Sequence, residues 1–166
     1  MTRITNDNLL YWARLLGIEI MYRNLHNDLL GQANATEKII TLDRALKFNP
    51  RQLKCILAEE IGHILYPPRP GHTRYHSAGF YRREDCSIVK HTVAQDERKA
   101  RDWATNVLMP DVEFNRIMEC GIYAIGEIAE LFEVEPWLVE HKIGYYRRRE
   151  QASGRKVKWR NIIRRV

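Results

Sequence analysis

The sequence predicts an α+β fold, with a short antiparallel three-stranded sheet near the N-terminus, two long helices with acids on their inward faces, and a small helical C-terminal region. Three observations predict it. Roughly alternating apolar residues run over 18–25, 29–33 and 38–42, which is the strand period. Apolar residues recur at helical spacing over 51–65 and 93–109, and each block runs into proline. Further helical patterns cover 111–122, 125–132 and 137–146. A chain of 166 residues, 45% hydrophobic and 29% charged, suits one compact domain with a core.

The elements follow in order. Leu9, Leu10, Ala13 and Leu16 mark a first helix over 6–16, and Gly17 ends it. Strands over 18–25, 29–33 and 38–42, the last two joined by a turn at 34–37, make an antiparallel meander. Asn49 is a good N-cap and Pro50 is tolerated at the first helical position, so a helix opens there, runs over 51–65 and stops at Pro67 and Pro68. Residues 66–94 begin with prolines and glycine, then carry His72, Tyr75, His76, Phe80, Tyr81 and His91 without clear period. A loop of that length in a compact domain is expected to have a function or to be disordered, and its aromatic and histidine content argues against plain disorder. A helix over 93–109 ends at Pro110, and 111–122 is helical. The stretch 125–146 reads as helix, tight turn, helix. The expected organisation is therefore a core over 1–110, a helix-turn-helix-like region over 111–146 and a basic tail over 147–166.

Composition excludes several classes. No apolar run approaches the ~18 residues of a membrane span, and the N-terminus lacks a signal-peptide centre, so a cytoplasmic protein with no membrane contact is expected. Cys55, Cys86 and Cys120 are odd in number and widely spaced, which is neither a disulfide framework nor a zinc ribbon. The net charge of +6 is concentrated: residues 147–166 hold nine Lys/Arg and one acid, so the rest is near neutral. Such a tail can grip phosphates non-specifically. The second helix of the 125–146 pattern is entered through Glu133 and Glu135, which suits packing better than base readout.

The chemistry-bearing stretch is Glu59-Glu60-Ile61-Gly62-His63. It is the zinc-protease helix pattern H-E-x-x-H with glutamate in place of the first histidine. Leu53, Ile56, Leu57, Glu60 and Ile64 lie along one stripe, with Glu59 and His63 beside it. Two adjacent carboxylates on a buried face are costly unless something neutralises them, and a metal ion does so directly. The next long helix repeats the oddity. Glu97 shares a face with Ala100, Ala104, Val107 and Leu108, and needs a cation or a hydrogen-bond donor, while Arg101 and Asp102 fall on the exposed side. His72 and His76 read as loop or substrate-contact residues.

These two stretches together, Ile56-Leu-Ala-Glu-Glu-Ile-Gly-His63 and Asp96-Glu97-Arg-Lys-Ala100-Arg-Asp-Trp103-Ala104-Thr-Asn-Val-Leu-Met-Pro110, resemble the ImmA/IrrE-type metallopeptidases. The resemblance covers about residues 5–146. It implies a zincin-like core, metal ligands at Glu59, His63 and Glu97, and Glu60 as general base. It further implies regulatory cleavage of a helix-turn-helix repressor from a phage or mobile element. Two carboxylates and one imidazole cancel the charge of Zn²⁺, where two histidines and one glutamate leave +1. The harder ligand set also accepts Mn²⁺ or Fe²⁺ more readily than the parent pattern does. The rival expectation is a catalytically weak or inactive homologue that acts as a repressor- or DNA-binding regulatory module.

Overall fold

In the first helix, α1 (Asn6–Leu15), the Thr5 side chain accepts the Asn8 amide while the Asn8 side chain accepts the Thr5 amide, a reciprocal cap. Gly17, at φ 70, turns the chain out of the helix in a conformation a side chain would oppose. The computed structural model describes residues 3–26, 28–67, 76–77 and 88–154, with 76–77, 88–94 and 96 as backbone alone. After α1 come β1 (Glu19–Arg23), β2 (Leu29–Asn34), β3 (Ile39–Asp43) and a 3-10 turn at Arg44–Phe48, then α2 (Pro50–Leu65) and β4 (His76–Ser77). Beyond β4 the described elements are helices: α3 (Ile88–Leu108), α4 (Asp111–Glu119), α5 (Ile125–Phe132) and α6 (Pro136–Ser153). The fold class is α+β with a helical C-terminal region, as expected.

The strand arrangement differs from the expected meander. The order is β1-β3-β2-β4, with β1 parallel to β3 and β2 antiparallel to it, so the sheet is mixed. The difference lies in the connection between β1 and β2. Residues 24–28 are too long for a two-residue hairpin, and the Leu25 amide donates to Asp43 Oδ2 at 2.8 Å, tying that connection to the end of β3. The β2–β3 connection is the local one. Asn34 Oδ1 accepts the amides of Thr36 and Glu37, each at 3.1 Å, and fixes the turn. Alternation shows which residues face the core but not which strand lies alongside.

The central element is α2. Asn49 caps it by accepting the Gln52 amide at 3.1 Å, with Pro50 at the first position. Every residue from Leu53 to His63 is buried, so the helix is enclosed on all sides rather than amphipathic. Its first half holds the junction between α5 and α6. Arg51 Nε donates to the Val134 carbonyl at 2.6 Å, Lys54 Nζ to the Phe132 carbonyl at 3.1 Å, and Cys55 Sγ accepts the Glu135 amide at 3.2 Å. Burial pushes the Cys55 thiol up to about 12, so it serves as a packed hydrophobe and acceptor rather than a nucleophile. One apolar cluster runs from Leu9 to Tyr146 and joins the sheet side to the C-terminal helices.

Candidate metal centre

The second half of α2 carries the acids and the histidine, and two glycines decide how closely neighbours approach them. Glu59 and Glu60 are each 1% exposed and His63 is 6% exposed. A Cβ on Gly62 would lie 2.6 Å from the Ala100 carbonyl oxygen and 2.9 Å from Ala100 Cα. The bare backbone at Gly62 is therefore what lets α3 lie directly on α2. That contact brings Glu97, one turn before Ala100, to His63: His63 Nε2 and Glu97 Oε2 are 3.6 Å apart, and the Glu97 side chain is 12% exposed. On the other side, a Cβ on Gly31 of β2 would lie 2.6 Å from Glu60 Oε1. Glu60 is thus seated against the sheet backbone, while Glu59 and His63 meet α3.

One donor atom from each of Glu59, His63 and Glu97 lies within 4.8 Å of the other two. Ligands of a tetrahedral zinc at its usual bond lengths sit roughly 3.3 Å apart. The His63–Glu97 separation of 3.6 Å is close to that value, and the three donors, spread within 4.8 Å, would have to draw together to hold a divalent ion. One imidazole and two carboxylates form a mixed donor set suited to Zn²⁺ and hard enough for Mn²⁺ or Fe²⁺. The three residues that the sequence expectation grouped come together, and Glu60 lies next to them on the sheet side. Of the loop residues, His72 and Tyr75 lie outside the described residues, and for His76 and His91 only the backbone is described.

Arg101 does not lie on the exposed side as expected. Its Nε donates to Glu59 Oε1 at 2.5 Å, its side chain is 22% exposed, and its guanidinium carbon lies 5.9 Å from the centre of the Trp137 ring. The neighbouring Asp102 is also engaged: its Oδ1 lies 2.7 Å from His141 Nε2 and accepts from Arg148 Nη2 at 2.6 Å, both on α6. Sequence reasoning had a signal for Arg101, because it follows Glu97 by four residues and so shares its helix face. Its charge outweighed that spacing in the assignment.

The family model described as Peptidase_M78, IrrE N-terminal-like domain, matches residues 13–143, a span that contains β1 to α5 and Glu59, Glu60, His63, Glu97 and Arg101. No curated protein matches the chain closely enough to count as a relative.

Proposed function

Because the chain belongs to the IrrE N-terminal-like (Peptidase_M78) family, we propose that it is a metal-dependent endopeptidase of the regulatory type, acting on a protein substrate. The observation that carries this reading is the convergence of Glu59, His63 and Glu97, two of them on α2 and one on α3, within 4.8 Å. In the proposal these three hold the metal, with Zn²⁺ first and Mn²⁺ or Fe²⁺ as alternatives. A bound divalent ion supplies Lewis acidity toward a peptide carbonyl and a water molecule. Glu60, held against Gly31, takes the water's proton and delivers it to the leaving amine. The substrate class, a helix-turn-helix repressor of a phage or mobile element, rests on the family resemblance.

The proposed division of labour keeps the catalytic core in 1–110, a packing region in 111–146, and a tail that meets phosphates without sequence preference. No described helix is long and apolar enough to cross a membrane; a cytoplasmic location is part of the proposal.

The test uses the full chain and, as substrate, any helix-turn-helix repressor found encoded beside its gene. Elemental analysis should find about one equivalent of metal, removed by His63→Ala or Glu97→Ala. Glu60→Gln should keep the metal and lose cleavage by roughly 10²–10⁴-fold, the usual worth of a general base. A metal-free protein whose melting temperature ignores both chelator and added Zn²⁺ would sink the enzyme reading. The second reading, a regulator that binds without cutting, is favoured by one observation: the Arg101 side chain is bonded to Glu59. Metal binding without cleavage in the parent chain supports it.

A further inference from the structure

We propose that Arg101 is a built-in counter-cation for Glu59, and that it sets how tightly the site takes a divalent metal. This inference rests on the metal-site reading of Glu59, His63 and Glu97. It starts from two side chains that do not fit a simple ligand set. Glu59 is 1% exposed, so its charge must be neutralised from within the protein. Arg101 does this at 2.5 Å with an Nε–H donor, and the bond is charge-assisted. The guanidinium carbon also lies 5.9 Å from the Trp137 ring centre on α6. Arg101 is therefore placed by α3, Glu59 and α6 together, and is not a surface side chain that happens to fall near an acid.

Two cations then have claims on one carboxylate. A divalent ion held by Glu59, His63 and Glu97 would draw the Glu59 carboxylate toward the other two, against the hydrogen bond that Arg101 donates to it. The charges set the outcome. Glu59 and Glu97 with a neutral His63 sum to −2, and Arg101 raises the cluster to −1. A divalent ion brings the cluster to +1. Two histidines and one glutamate give the same total around the same ion with no arginine present. Arg101 thus restores the net charge that glutamate at position 59 removes. It does so at the expense of affinity, because a fixed positive charge beside the site repels the incoming ion and shares its ligand. The pairing also gives α2 and α3 an ionic link that needs no metal. Glu59 would thus be shared between an internal and an external cation, and occupancy of the site would follow the free metal concentration.

The test is metal affinity in a set of full-length variants, read by competition with a chromophoric chelator using Zn²⁺ alone. Arg101→Gln should bind Zn²⁺ roughly tenfold tighter, within the usual range of coupling between two linked sites. Arg101→Lys keeps the charge and should stay near the parent. The gain should vanish when Glu59→Gln is combined with Arg101→Gln, since the competition runs through that carboxylate. A second readout does not depend on chelator data: the melting temperature of Arg101→Gln should fall in chelator and recover with Zn²⁺ more than the parent's rises. Weaker binding in Arg101→Gln would overturn the proposal and make Arg101 a support that orients the ligand. Equal affinity in parent and variant would overturn it while leaving the metal site intact. Binding by none of the proteins would overturn both this inference and the metal-site reading beneath it.

Discussion

At the scale of single residues, the centre depends on two hydrogen atoms. Gly62 and Gly31 present bare Cα positions where a Cβ would fall 2.6 Å from Ala100 O and from Glu60 Oε1 respectively. The obstacle at Gly62 is backbone, which cannot swing aside as a side-chain tip can. Gly62→Ala should therefore push α3 away from α2 at a cost of about 1–3 kcal/mol, the usual penalty for overpacking. Urea unfolding measures this, and metal binding should weaken as His63 and Glu97 separate. Gly126→Ala is the control: nothing lies within 4 Å of a Cβ there, so stability should hold or rise by under about 1 kcal/mol. The identity of the glycine was legible in the pentapeptide, and so was the inward direction of Glu59, Glu60 and His63. The meaning of the glycine was not, because it depends on how close a helix some forty residues later comes to rest. Arg101 was misplaced for a related reason. A cation on a helix is assigned to solvent by default, and only the buried acid opposite it reverses the assignment.

At the scale of elements, α6 is held by a buried amine. Lys142 is fully enclosed, and its Nζ donates to Asn106 Oδ1 and Asp111 Oδ1, each at 2.6 Å, joining α6 to α3 and to the start of α4. The rings of Tyr145 and Tyr146 lie 5.4 Å from the same nitrogen. Burial pushes the Asp111 carboxyl up, but the hydrogen bond and charge of Lys142 outweigh this, so the group titrates below its ordinary 3.8. A carboxyl with a depressed folded-state pKa stabilises the fold fully above its unfolded value, and less as pH falls through the folded one. Asp111→Ala should cost about 1–3 kcal/mol near neutral pH, since it leaves a buried charged donor short of a partner. The gap between parent and variant, followed by urea titration at a series of pH values, should narrow below about 3.8. The sequence located α5 and the start of α6 but ended α6 at Tyr146, where the apolar period stops. The helix continues to Ser153 because Arg148 and Arg149 reach Asp102 and Asp111, and Gly154 at φ 67 closes it. Those partners lie on other helices and leave no trace in a local pattern.

At the scale of the whole molecule, the segments on either side of residue 110 share one core. Phe114 stacks on Phe132 at 6.3 Å and on Tyr146 at 5.6 Å, and the same cluster continues through Leu57 and Ile61 to Leu9. Lys54 and Cys55, both within the first segment, have their partners in the second. A fragment ending at Pro110 would expose these groups on α2. It should lack a cooperative unfolding transition, whereas the full chain should show a single transition by circular dichroism and by tryptophan fluorescence. The fold class and the described helices were legible because each rests on a local period. The order of strands was not, because a run of alternating residues fits either neighbour equally well.

The short strand β4 carries one more consequence. It hydrogen-bonds along the outer rim of β2, pairing Leu29 with Ser77 and Gly31 with His76, directly over the strand against which Glu60 rests. An extended peptide that added itself to that rim would need the backbone groups the chain already uses. The protein thus holds a place in its own sheet that a guest strand would otherwise take, and any guest binding in that manner must first displace residues 76 and 77.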